Sequence, residues 1–130
     1  MTRNDKEYLF HLLQDIYFDN IDTAKADEAA EAMHSDVRWV HNQVWEHDAH
    51  KTNIRDTFNG RKEVREFLRK RVIEMQIEGI IHKVENVVSD GKLGAFKANV
   101  IGTDKSEKPF FGLVELKDNK IIYYRVLPQE

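Results

Sequence analysis

The chain contains no cysteine. That excludes a disulfide framework, a thiolate nucleophile and a cysteine-ligated zinc site. Long apolar runs are also missing. None approaches the roughly 18 residues that a transmembrane helix needs. The N-terminal residues Met1-Thr2-Arg3-Asn4-Asp5-Lys6-Glu7 are polar and lack the apolar core of a secretory signal. Together these absences set a soluble, cytoplasmic protein, with no membrane partner, as the expectation. The net charge is only −3, which argues against a nucleic-acid partner held by electrostatics. No glycine-rich phosphate loop is present, so no organic cofactor is implied. The two prolines and six glycines form no linker. No repeat or low-complexity segment appears either. A chain of 130 residues with these properties reads as one domain, 1–130, large enough to bury a core.

What is present divides into a helical first part and a strand-rich second part, the pattern of an α+β fold. Asn4 with Glu7 three residues on forms an N-cap and capping box. Tyr8, Leu9, Leu12, Leu13, Ile16 and Tyr17 follow at helical spacing, and Asp19-Asn20 is expected to end that helix. A second helix, capped by Asp22 or Thr23, presents Ala26, Ala29, Ala30 and Met33 on one side. Small residues there allow close helix approach. Residues 37–41 read as a short strand with Val37, Trp39 and His41 on one face. Residues 42–59 resist assignment; Val44-Trp45 fits a short strand or a flap, and Asn59-Gly60 marks a turn. A connection this long in a small domain is often a binding loop. A third helix begins near Arg61, with Val64, Phe67, Leu68, Val72 and Met75 as its buried stripe. Four strands are expected at 80–89, 92–102, 109–117 and 119–127. Asp90-Gly91 and Asp118-Asn119 provide hairpin turns between them.

Three stretches carry a resemblance. They are Ala32-Met33-His34-Ser35-Asp36-Val37-Arg38-Trp39, Phe58-Asn59-Gly60-Arg61-Lys62-Glu63-Val64-Arg65-Glu66-Phe67-Leu68 and Lys120-Ile121-Ile122-Tyr123-Tyr124-Arg125-Val126. In this order the chain resembles the NTF2-like superfamily, in particular its SnoaL-like and ketosteroid-isomerase-like branch. The middle stretch matches the F-x-G-x-x-x-(I/V)-x-x-F opening of a helix in that branch. The resemblance implies a cystatin-like α+β cone, with a curved antiparallel sheet wrapped around three helices and a pocket between them. It also implies a homodimer through the outer sheet face. It does not imply one function, because the superfamily holds isomerases, cyclases, dehydratases, epoxide hydrolases, transport factors and plain ligand binders. Ketosteroid isomerases carry an aromatic hydroxyl on helix one and a carboxylate base at the end of strand one. Laid on that pattern without gaps, Tyr17 falls on the hydroxyl and His41 on the base. A second acid, on a later strand, is replaced near Gly112. Steroid isomerisation itself is therefore not implied, and a different proton transfer stays open.

His82 stands out within residues 80–89. Strand alternation places it on one face with Val84, Asn86 and Val88. Burying an imidazole and an amide costs a few kcal/mol unless both find partners, so either the protein satisfies them or they line a ligand cavity. In the cone fold, Tyr17, His41, His82 and Asn86 converge. An imidazole takes and returns protons near neutral pH, and a phenol with an amide stabilises a developing oxyanion. Such a set suits an acid–base isomerase, cyclase or dehydratase acting on a small apolar carbonyl or hydroxy compound, with His41 as base and His82 as second proton carrier. Two rival readings share the same residues. One is a non-enzymatic module holding a small-molecule ligand or a protein; the other makes these side chains hydrogen-bonded wall residues. Trp39, Trp45, Phe58, Ile122 and Tyr124 are candidate pocket lining. On the family pattern that the resemblance implies, Ile122, Tyr124 and Val126 face inward on the last strand, and Ile121, Tyr123 and Arg125 face outward as a dimer surface.

Two further clusters get ordinary readings. Metal-assisted hydrolysis through the His47/His50 loop is a third reading, but Glu46, His47, Asp48 and His50, with His41, match no established ligand spacing, so no metal is assigned. Arg61, Lys62, Arg65, Arg69, Lys70 and Arg71 read as a solvated helix face paired with Glu63, Glu66 and Glu74. His34 is placed at a helix terminus, and His11 on the exposed side of helix one.

Overall fold

The structure is a computed structural model that describes residues 4–42 and 55–128. Val44, Trp45 and the Glu46, His47, Asp48 and His50 cluster lie outside the described residues.

Helix α1 runs through residues 5–22 as three consecutive pieces: an α-helical opening Asp5–Phe10, a π-helical stretch His11–Phe18 and a closing turn Asp19–Asp22. The Asn4 side chain caps it, accepting from the Glu7 N–H at 3.0 Å. The expected break at Asp19-Asn20 does not occur. The Asn20 side-chain amide donates back to the Ile16 carbonyl at 2.7 Å, and the Thr23 N–H bonds the Asp19 carbonyl at 3.1 Å, which carries the helix past this pair. The chain turns only at Ala24, in the left-handed region at φ 61°. The π stretch changes which residues are buried. A wider helical turn spaces the buried side chains by five, so Leu12 and Leu13 are followed by Tyr17 and Phe18, while Ile16 is only partly buried. Helix α2 is short, Ala26–Ala30. Its buried Ala26, Ala29 and Ala30 lie close to α1 and to helix α3, Arg61–Glu78. Met33 belongs to the following strand rather than to α2.

Among the described residues six strands form one curved, open sheet in the order β2-β1-β6-β5-β4-β3. They are β1 Met33–Asn42, β2 Arg55–Asn59, β3 Ile81–Ser89, β4 Leu93–Ile101, β5 Glu107–Lys117 and β6 Lys120–Pro128. The sheet is mixed, because β1 runs parallel to β6 while the other pairs are antiparallel. The Asp118-Asn119 turn between β5 and β6 has φ 53° and 64° at its two residues, the left-handed pair that a tight hairpin demands. His34 lies on β1, not at a helix end, and its Nε2 is 3.5 Å from Asp118.

The concave face of the sheet and the three helices enclose one apolar core, from Leu9 and Leu13 on α1 to Val126 on β6. Two irregularities set which side chains reach it. The β3–β4 register shifts between Val84 and Asn86, so Val84 and Val87 are buried while Asn86 and Val88 are exposed. The β5–β6 register shifts between Glu115 and Leu116, so Ile121, Tyr124 and Val126 are buried while Ile122 is not. Each bulge adds one residue and reverses strand alternation beyond it. The expectations for Asn86, Ile121 and Ile122 therefore fail by one position. No helix among the described residues is long and apolar enough to cross a membrane.

Candidate functional site

Helices α1 and α3 and strands β1, β3, β4, β5 and β6 surround a small cavity. Its walls include Tyr17, Trp39, His41, Arg71, His82 and Tyr124. The free space among them is about 30 Å³, room for about one water molecule.

His82 enters from β3, the edge strand, and two side chains of α1 hold it there. An edge strand leaves one row of backbone groups unpaired. Here the Gln14 amide donates to the His82 carbonyl at 3.1 Å and accepts from the Val84 N–H at 2.6 Å. The Asp22 carboxylate accepts from the His82 N–H at 2.8 Å, and its other oxygen lies 2.7 Å from His82 Nδ1. A carboxylate only accepts, so Nδ1 carries a proton and donates it to Asp22, which leaves Nε2 as the second ring nitrogen. The imidazole stacks on Phe18, with centroids 5.0 Å apart and planes 12° apart, and meets the edge of Phe110. Both side chains of the Asp22–His82 pair are only 10% exposed. The ring is thus fixed at one nitrogen and on one face, and the cavity adjoins the rest of it.

Tyr17 projects from the π stretch, where its hydroxyl accepts from Trp39 Nε1 at 3.0 Å and has the Tyr124 hydroxyl as a further partner. Burial pushes the Tyr17 hydroxyl well above the ordinary tyrosine range, and it does the same to Tyr124. Both phenols are therefore neutral and retain their protons. His41 lies on the β1 face that carries Trp39, stacked on the indole at 5.1 Å and 9°. Trp39 in turn lies parallel to Tyr124, with centroids 5.9 Å apart. The two imidazoles therefore line one cavity.

The structure brings together Tyr17, Trp39, His41, His82 and Tyr124. Phe58 stands behind this group, packed against Trp39 and Phe67. Asn86 and Ile122 lie elsewhere. Asn86 faces the outer side of the sheet, and Ile122 borders a surface groove near the hairpin turns. The Gly112 position is filled by a neighbour. A Cβ built there would fall 2.1 Å from the Phe96 ring, so this ring occupies the space that a side chain would need.

Sequence reasoning missed Asp22 and Arg71. The sequence suggests a cap at Asp22, yet this residue closes α1 one turn beyond Phe18 and so remains on the buried side. The charge pattern suggests a solvated face for Arg71. It is 2% exposed and lines the cavity, with its guanidinium paired to Glu74. Its position was legible in the spacing: Val64, Leu68 and Arg71 share one helical stripe. Arg69, by contrast, is on the surface and forms two hydrogen bonds with Asp27 of α2, at 2.8 and 3.1 Å. Among the described residues no group of three or more potential ligands is placed to hold a metal ion.

No family profile matches the sequence, and no curated protein is similar to it. Solved structures do match. A candidate ketosteroid isomerase from Kribbella flavida DSM 17836 is 18% identical with a TM-score of 0.66, over 97% of this chain and 81% of that one. A protein of cystatin-like fold from Methylobium petroleophilum PM1 is 12% identical with a TM-score of 0.71, over 96% and 78% of the two chains. The chain has the NTF2-like, or cystatin-like, fold. A candidate polyketide cyclase from Sinorhizobium meliloti shares this NTF2-like architecture at 18% identity and a TM-score of 0.60, over 87% and 91% of the chains. At these identities the likeness concerns the fold. The NTF2-like cone places the cavity, and the chemistry has to be read from the residues within it.

Proposed function

We propose that the chain is a small-molecule enzyme that works by proton transfer beside a carbonyl, of the isomerase, cyclase or dehydratase type. The observation that carries this reading is the Asp22–His82 pair at the cavity wall, with Nδ1 held at 2.7 Å. Asp22 fixes the tautomer and stabilises the imidazolium that forms when Nε2 takes a proton. Tyr17, neutral and positioned by Trp39, donates to the carbonyl oxygen as negative charge develops there. The proton on His82 then returns to another carbon of the substrate, giving an isomer, or joins a departing hydroxyl, giving an alkene and water. His82 thus takes the role of base first expected of His41, and His41 flanks the site from the Trp39 side. The solved structures named for ketosteroid isomerase and polyketide cyclase chemistry support this choice of reaction class.

The test is α-proton exchange in D₂O, followed by NMR over a panel of small ketones and 3-hydroxy carbonyl compounds. Wild-type protein exchanges at least one of them, and His82→Gln lowers the rate at least 100-fold, within the usual range for a general base. Equal rates in both proteins would remove His82 from the chemistry.

The small volume of the cavity favours a second reading, a non-enzymatic module that works through its outer sheet face. Val88 (65% exposed), Phe111 (44%), Leu113 (48%) and Leu127 (36%) form an apolar patch there. On either reading we infer a homodimer through this face, centred on β5 rather than on Ile121 and Tyr123 of β6. Leu113→Lys should convert it to monomer in sedimentation at micromolar concentration; a monomeric wild type would exclude it.

A further inference from the structure

We propose that Phe18 is a positioning residue for His82, part of a cradle of Gln14, Phe18 and Asp22 that α1 lays along β3. This rests on reading His82 as the proton carrier, and it names what aims the ring. Three side chains of one helix meet a single strand residue. Gln14 donates to the His82 carbonyl at 3.1 Å. Phe18 covers one face of the imidazole. Asp22 accepts from the His82 N–H and from Nδ1. Backbone, ring plane and ring nitrogen are thus all set from α1. This alignment needs the π-helical stretch. Eight residues of uninterrupted α-helix would leave Asp22 about 80° around the axis from Gln14. A π turn winds by less per residue than an α turn. The wide turn, in which the Asp19 N–H reaches back to the Gln14 carbonyl, removes most of that offset and brings both residues to the same strand.

Phe18 does more than fill space. Its ring is boxed in by Tyr17, Phe96 and Phe110, at interplanar angles of 69°, 65° and 75°. Its plane is therefore fixed by the core, independently of His82. Against the imidazole it lies parallel instead, at 12°. An aromatic ring is negative on its face, so a partner lying over that face gains most when it is cationic. That is the state His82 enters when Nε2 takes a proton. A leucine at this position would fill the core without offering such a face. Asp22 and Phe18 thus act on one ring by two routes, the first through Nδ1 and the second through the ring plane.

The experiment compares wild type with Phe18→Leu, and with Val64→Ala as a control that removes buried bulk from α3 without touching the cavity lining. Exchange of the His82 Nδ1 proton with water is followed by NMR. It should be at least tenfold faster in Phe18→Leu and within about twofold of wild type in Val64→Ala. Phe18→Met, similar in bulk and also without a flat face, gives the same test if Phe18→Leu does not fold. The second readout is α-proton exchange of a ketone in D₂O. Phe18→Leu should lower that rate at least tenfold. Combined with Asp22→Asn it should lower the rate by less than the product of the two single losses, because both act through one ring. Equal Nδ1 exchange in Phe18→Leu and wild type would overturn the proposal, as would a wild-type Nδ1 proton too fast to observe. So would equal acceleration in Val64→Ala, which would reduce the effect to core packing, or losses that simply multiply in the double variant. A wild type that exchanges no ketone would defeat the catalytic reading alone, and the Nδ1 proton would still decide whether Phe18 holds the ring.

Discussion

Replacing Asp22 tests the reasoning most directly, because one carboxylate serves both the fold and the site. In Asp22→Ala two hydrogen bonds disappear, the 2.8 Å bond from the His82 N–H and the 2.7 Å bond from Nδ1. Both partners are nearly enclosed, at 10% exposure, so water replaces the carboxylate only in part. Hydrogen bonds to charged groups contribute about 1.5–3 kcal/mol each, which gives a loss of about 3–6 kcal/mol for the pair. For a chain of this length about 1 kcal/mol moves the melting temperature by roughly 3–4 °C, so a fall of about 10–25 °C is expected. Asp22→Asn keeps one acceptor oxygen and should lose about half as much. It also presents an N–H₂ group to the other donor, so the His82 ring must change tautomer or turn. Urea unfolding gives the stability difference, and long-range ¹H–¹⁵N spectra report which ring nitrogen carries the proton. A loss below about 1 kcal/mol in Asp22→Ala would refute the account, since it would mean that the pair is solvated or interchangeable.

Two other outcomes follow from the packing and the buried phenols. Gly112→Ala places a Cβ 2.1 Å from the Phe96 ring, and that ring is held by Phe18, Phe110 and Tyr124. A loss of about 2–3 kcal/mol is expected from overpacking, and Phe96→Leu in the same chain should restore part of it; urea midpoints decide, and no rescue would mean that the strain lies elsewhere. Tyr17 and Tyr124 have folded-state pKa values raised by burial from the ordinary 10.0. Above about pH 10 the unfolded chain releases these protons while the folded chain retains them, so stability falls by up to about 1.4 kcal/mol per pH unit for each tyrosine. Alkaline unfolding should thus coincide with their phenolate absorbance, and ionisation of both tyrosines in still-folded protein would contradict it.

The fold was legible because its main elements follow simple periods. The alternating residues of β4 and β5, the turns at Asp90-Gly91 and Asp118-Asn119, and the α3 stripe each declare themselves locally. Strand β2 did not, because Arg-Asp-Thr-Phe-Asn is polar at four of its five residues and gains its structure from pairing with β1. Tyr17, His41 and His82, picked out by type and face, line the cavity. Asn86 and Ile122 were misplaced because bulges reverse strand parity, and nothing in the local composition of either stretch marks a bulge. Phe18 was passed over because a 3.6-residue period cannot anticipate a π-helical stretch. Asp22 and Arg71 were missed for a different reason: charged residues on an apolar stripe look like noise until their partners are known.

The carboxylate that aims the His82 ring also seals the rim of the sheet, together with the Gln14 amide. Loss of this seal would bare hydrogen-bonding groups on β3 to any passing chain, the usual start of strand-to-strand clumping. Damage to chemistry and damage to solubility would therefore arrive together. A screen that discards insoluble variants would remove the very substitutions that report on proton transfer, and Gln14→Ala, which opens the rim but leaves the ring's carboxylate in place, is the variant that tells the two apart.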